Sequence, residues 1–126
     1  MAYQYDFASV FEYTPVLLKG IGVTIELIAF GAVAGVAIGI ACAWVRTQGP
    51  TWLRAPVTAY VELIRNTPFL IQLFFIFFGL PALGVSLTEM QAASLAMALN
   101  LGAYSTEIIR AGIAATHRGQ VEAGAS

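Results

Sequence analysis

Residues 27–45 read Leu27-Ile28-Ala29-Phe30-Gly31-Ala32-Val33-Ala34-Gly35-Val36-Ala37-Ile38-Gly39-Ile40-Ala41-Cys42-Ala43-Trp44-Val45. A helix on the surface of a soluble protein carries an apolar stripe backed by a polar face. Wound into a helix, this run has no polar face, so every side of it must meet apolar surroundings. The apolar stretch extends back to Ile21, with Glu26 as its single charge. That length satisfies the roughly 20 residues needed to cross the hydrocarbon core of a bilayer. The reading is a membrane-spanning helix over 21–45, and it sets the class of the chain.

Two further apolar stretches lie downstream. Asn66 to Thr88 carries no charge and is densest from Phe69 to Leu80. Met90 to Thr106 is also uncharged and is bounded by Glu89 and Glu107. The third reaches spanning length when it continues through Glu107 and Arg110, whose i,i+3 spacing lets them pair on a helix. Spans are therefore expected at 21–45, 67–84 and 89–112. Composition agrees: of 126 residues 59% are hydrophobic and 10% charged, against roughly 25% charged in soluble domains. Six basic and seven acidic residues give a net charge of -1, which leaves no basic field for nucleic acid. The expected fold is an all-α integral membrane helix bundle.

The connections carry the punctuation. Residues 1–20 mix Tyr5, Phe7, Phe11 and Tyr13 with polar residues and read as an interfacial segment. Residues 1–18 hold no Lys or Arg but carry Asp6 and Glu12, unlike a secretory signal. The linker 46–65 contains Gly49, Pro50 and Pro56, and its second half, Ala55 to Arg65, reads as a short helix at the membrane edge. Thr67-Pro68 predicts a helix start, with Thr67 as N-cap and Pro68 in the first position. Residues 81–88 form a turn around Pro81 and Gly84, and 113–126 is a polar tail. Three spans place the linker and the tail on one side, with Arg46, Arg54, Arg65, Arg110 and Arg118, while Lys19 lies on the other. By the positive-inside rule the arginine side is cytoplasmic and the N-terminus is outside.

Several residues stand out within this frame. Gly31, Gly35 and Gly39 recur every four residues, which draws a smooth stripe where a second helix can approach closely. Ser94, Ala98, Gly102 and Thr106 draw a similar line on the third span. Asn100 is polar near the middle of that span, a costly position in lipid. It fits either a solute path or an interhelix hydrogen bond. Glu26 lies about one turn inside the first span and snorkels to the outer interface. Glu62 and Arg65 form a second i,i+3 pair, joined by Asn66 and Thr67 in a polar knot before the second span. Cys42 is a single cysteine in an apolar run, and His117 has no second ligand at metal spacing. No P-loop, nucleophile elbow or paired catalytic carboxylates are present. No metal or cofactor site and no enzyme are expected.

Two segments resemble a known family. Residues 60–81, Tyr-Val-Glu-Leu-Ile-Arg-Asn-Thr-Pro-Phe-Leu-Ile-Gln-Leu-Phe-Phe-Ile-Phe-Phe-Gly-Leu-Pro, look like the E-x-x-R-[GN]-T-P-x-x-x-Q-L segment of polar amino acid permeases of ABC importers, the histidine, glutamine and arginine type. Residues 103–113 and 119–126 are similar to the approach into that family's E-A-A-x-x-x-G loop, with Gly124 in place of the second alanine and the motif's last glycine falling past Ser126. The resemblance implies the first three of five spans of a type I importer permease in a bacterial inner membrane. It also implies a second permease subunit, two cytoplasmic ATPase subunits and an extracytoplasmic amino-acid-binding protein. Gly119, Gln120, Glu122, Ala123 and Gly124 would begin the segment coupled to the ATPase. A non-transporting scaffold, a gene fragment and a permease for another nitrogenous solute, such as an opine, are the competing readings. A chain with three spans and a half-built coupling loop is not expected to transport by itself.

Overall fold

The computed structural model describes residues 3–126. It is all-helical: α1 (Phe7–Glu12), α2 (Thr14–Gln48), α3 (Thr51–Arg65), α4 (Phe69–Ala82), α5 (Glu89–Ala115) and α6 (Arg118–Ala125). Asp6 caps α1, its carboxylate accepting from the amides of Ala8 at 3.1 Å and Ser9 at 3.4 Å. Tyr13 interrupts the helix with φ -92° and ψ 10°, and Pro15 in the first turn of α2 suits a helix start. The expected interfacial segment is thus split. Residues 7–12 form their own short helix, and residues 14–20 already belong to α2.

α2 has 35 residues, about 52 Å at 1.5 Å per residue, longer than the roughly 30 Å hydrocarbon core. It stops where Pro50 forces the preceding residue into extended backbone: Gly49 has φ -75° and ψ 165°. α3 runs from Thr51 rather than from Ala55 and carries Pro56 within it. α3 and α4 meet at an elbow of 111°. Among the described residues α2 is the one helix long and apolar enough to cross a membrane unaided, and α3 with α4 qualifies only as a bent pair. α5, with 27 residues, is long enough, but Gln91, Asn100 and Glu107 dilute it.

The elbow also revises the expected cap. α4 begins at Phe69 with Pro68 at the N-cap position and no side-chain cap. The Thr67 hydroxyl turns back to donate to the Leu63 carbonyl at 2.6 Å. Leu63 lies four residues before Thr67, the spacing at which a threonine hydroxyl bonds back to the preceding helical turn.

Within α4 the turn Phe75–Gly79 is π-helical. Pro81 follows it, and proline removes an amide and crowds the carbonyl four residues back, so a widened turn at this point has an identifiable cause. Gly84 then adopts φ 89° in the turn to α5, a conformation that glycine accommodates without a Cβ clash. Thr88 opens α5 with a capping box. Its hydroxyl accepts from the Gln91 amide at 3.2 Å, and Gln91 Oε1 accepts from the Thr88 amide at 3.0 Å.

Packing directions define the bundle. Gly31 faces Met97, Gly35 faces Leu101 and Gly39 faces Ser105, so α2 and α5 run parallel. Ile76 packs with Ala92 and Ala96 while Gln72 meets Asn100, so α4 runs antiparallel to α5. α2 and α5 are thus a parallel pair, with α4 returning antiparallel between them in sequence. Small residues let the parallel pair approach closely. A Cβ built on Gly35 would lie 2.7 Å from Leu101 Cβ, and one on Gly39 would press on Ser105 and lie 3.1 Å from its carbonyl carbon. Ala43, Ala98, Gly102 and Thr106 are buried in the same seam.

Candidate functional site

The polar groups of the bundle gather at two levels. The first is at the elbow. Gln72 is buried, 8% exposed. Its carboxamide nitrogen donates to the Ile64 carbonyl at 2.8 Å and the Thr67 carbonyl at 2.9 Å, and its oxygen accepts from Asn100 Nδ2 at 3.1 Å. A break between helices leaves backbone carbonyls that need satisfaction from other donors where they are buried. Gln72 supplies that satisfaction for the carbonyls around the break, and it ties α3, α4 and α5 together. Tyr60 of α3 adds a second link, its hydroxyl donating to the Leu99 carbonyl of α5.

Asn100 makes the interhelix hydrogen bond and also lines a cleft. That cleft, about 380 Å³, lies between α2, α4 and α5 and is bordered by Ile28, Gly31, Ala32, Phe69, Met97, Asn100 and Leu101. The carboxamide of Asn100 is the polar side chain in this lining. A larger apolar recess of about 550 Å³ fills the inside of the elbow, from Leu63 and Ile64 across to Leu95 and Leu99.

The second level is charged. Glu107 of α5 receives hydrogen bonds from Arg46 of α2 on Oε1 and from Arg110 on Oε2, the latter at 2.9 Å, and Arg65 Nη1 of α3 lies 3.9 Å from Oε2. The Glu107–Arg110 pair is the i,i+3 pair read from the sequence. The expected Glu62–Arg65 pair does not form. Arg65 instead turns to Glu107 and sits 6.0 Å above the Tyr104 ring, while Glu62 is exposed. Spacing permits a helical pair, but the carboxylate of Glu107, only 18% exposed, attracts a cation more strongly than one in open solvent. Arg46 had no sequence signal as a member of this group, because it lies 61 residues from Glu107.

The tail residues do not join either level. α6 is exposed throughout. Gln120 accepts from the His117 amide at 3.2 Å and so helps start the helix. Glu122 pairs with Arg118 at 3.2 Å on the solvent face. Nothing lies within 4 Å of a Cβ built on Gly119 or Gly124, so both glycines face open space. Glu26 is exposed, and Cys42 is a half-buried thiol. Among the described residues no group of three or more metal-ligating side chains is found.

Residues 35–126 match the family model described as "Binding-protein-dependent transport system inner membrane component". The chain is similar to the L-cystine transport system permease protein TcyB of Bacillus subtilis (strain 168), with 41% identity over 90% of this chain and 48% of the relative. It is 36% identical to the arginine transport system permease protein ArtQ of the same organism, over 94% of this chain and 54% of the relative. With the glutamine transport system permease protein GlnP of Escherichia coli (strain K12) it shares 31% identity over 96% of this chain and 56% of the relative. The fold is similar to a solved amino acid ABC transporter "with histidines", with TM-score 0.88 and 36% identity over 96% of this chain and 56% of that one. The chain spans about half the length of the curated relatives it matches. The helices and their packing therefore define an inner-membrane component of binding-protein-dependent transport systems, and the chain belongs to that family. Within it, the relatives and the matched fold place the chain among amino acid ABC transporter permease subunits.

Proposed function

We propose that these residues form the first three crossings of a permease that moves a polar amino acid inward across a bacterial inner membrane. ATP is hydrolysed by a separate subunit. The observation that carries the reading is the cleft between the parallel pair α2–α5 and the returning α4, where Asn100 is the polar side chain in an apolar lining at mid-span. Transporters bind solute near the midplane between helix bundles that rock around it. The other half of the path is supplied by the rest of the permease and by a second permease subunit. Two cytoplasmic ATPase subunits and an extracytoplasmic amino-acid-binding protein complete the assembly.

In this reading the N-terminus is outside and the arginine-rich ends are cytoplasmic. α6 then faces the ATPase. Gly119, Ala123 and Gly124 allow close approach, Glu122 offers charge, and Gln120 holds the helix start. These residues span about half the length of the relatives, so the transport proposed is that of a permease of the relatives' length.

The test is reconstitution of the full-length permease with its ATPase and binding protein in vesicles. ATP-dependent accumulation of radiolabelled amino acids is the expected result. Accumulation of opines but no amino acids would move the substrate class. No ATP-driven uptake of either, from an assembled complex, would favour a non-transporting scaffold.

A further inference from the structure

The charged level is not used by the proposed solute path, yet its position is informative. Glu107 stands among arginines from three helices, and its two oxygens are divided between them. Oε1 takes Arg46 of α2, while Oε2 takes Arg110 at 2.9 Å and lies 3.9 Å from Arg65 of α3. The Arg46–Glu107 pair is largely shielded, its side chains 16% and 18% exposed. A shielded pair adds little net stability, because desolvation offsets most of the attraction. Its more effective role is to fix the relative position of the groups it joins.

That position lies at the root of α6. Past Glu107, α5 runs about 12 Å further at 1.5 Å per residue and ends at Ala115, and Thr116 and His117 lead into α6. Among the described residues, Glu107 makes the last interhelix ion pairs along α5 before α6. α6 itself is exposed on all its residues. A displacement applied to α6 enters the bundle through the end of α5, and Glu107 is the first polar attachment it meets to α2 and α3.

We propose that Glu107 is a positioning residue that transfers displacement of α6 from α5 to α2 and α3. The inference rests on the reading of α6 as the ATPase-facing segment. With the carboxylate in place, movement of the α5 end carries Arg46 and Arg65 with it, so three helices move as one body. Without the charge, Arg46 and Arg65 are released from the end of α5, and only the glycine seam is left to pass the displacement to the solute cleft above.

The experiment uses the full-length permease in vesicles with its ATPase and binding protein. ATP hydrolysis, with and without binding protein, and amino acid accumulation are measured on the same preparations. Glu107→Gln keeps the side-chain shape and removes the charge. The expected result is an intact complex with unchanged basal hydrolysis, and a loss of about two- to thirty-fold in binding-protein-stimulated hydrolysis and uptake. Glu107→Asp keeps the charge but is too short to hold all three arginines at once, and should recover part of the lost uptake. Stimulation and uptake equal to the parent in Glu107→Gln would overturn the proposal. So would loss of basal hydrolysis in step with uptake, which marks a merely structural role. If Glu107→Gln does not assemble, Glu107→Asp decides alone: uptake equal to the parent overturns the proposal, and reduced uptake with intact basal hydrolysis supports it. A parent complex without ATP-driven uptake would defeat the transport reading, and this inference with it.

Discussion

The Gln72 carboxamide oxygen accepts a hydrogen bond from Asn100 Nδ2 at 3.1 Å, while its nitrogen serves two backbone carbonyls at the α3–α4 break. One side chain therefore holds the elbow in shape and orients the polar residue of the cleft.

Replacing Gln72 with Met should destabilise the permease more than replacing Asn100 with Leu. The first change strips a donor from the carbonyls of Ile64 and Thr67 and a partner from Asn100. The second leaves one acceptor of Gln72 unpaired. Each buried unsatisfied group costs about 1–3 kcal/mol. Thermal unfolding of the full-length protein in detergent would order the two. Equal midpoints for Gln72→Met and the parent would show that the elbow holds without this side chain.

Along the glycine seam, tolerance should fall from one end to the other. Gly31→Ala meets Met97 Cβ at 3.3 Å and the flexible Cε at 3.4 Å, a tight fit relieved by a shift of a few tenths of an ångström, and should be only mildly destabilising. Gly35→Ala must displace Leu101, and Gly39→Ala meets Ser105 and its backbone. Overpacking of this kind costs about 1–3 kcal/mol or more. The measured yield of monodisperse protein should fall in the order Gly31→Ala, Gly35→Ala, Gly39→Ala. A Gly39→Ala variant as stable as the parent would mean that α2 and α5 do not depend on close approach.

Asn100→Leu should reduce uptake while leaving the complex assembled. Losing one hydrogen bond to a solute corresponds to about 0.5–1.5 kcal/mol, or about a two- to twelve-fold loss. Uptake measured against ATPase co-purification separates the two effects. Unchanged uptake would assign Asn100 to holding Gln72 alone.

Orientation is open to labelling. Single cysteines at Gln48 and Val85, both exposed, would be placed in a chain whose Cys42 is replaced by Ser. A membrane-impermeant maleimide should modify the Val85 site from outside intact cells. The Gln48 site should react only after permeabilisation. The opposite pattern would invert the topology.

The apolar runs and the all-helical fold were legible in the sequence, because a run such as Leu27 to Val45 has no polar side to present to water. The four-residue recurrence from Gly31 to Gly39 marked a stripe for the same local reason: 3.6 residues per turn bring those positions onto one face. What covers that stripe was not legible. Met97, Leu101 and Ser105 reach it only once α4 has returned the chain and α5 lies parallel to α2. The i,i+3 spacing of Glu62 and Arg65 allowed a pair, yet Arg65 turned to Glu107, joined there by Arg46 from 61 residues away. Thr67 looked like a cap for α4 and bonded to α3 instead. Gln72 stood as one uncharged residue among apolar ones, with nothing nearby to reveal its three partners. Local periodicity decides which residues are helical and which face is smooth. A polar side chain takes the partner that tertiary packing brings within reach in the least solvated surroundings, and only the folded chain decides which partner that is.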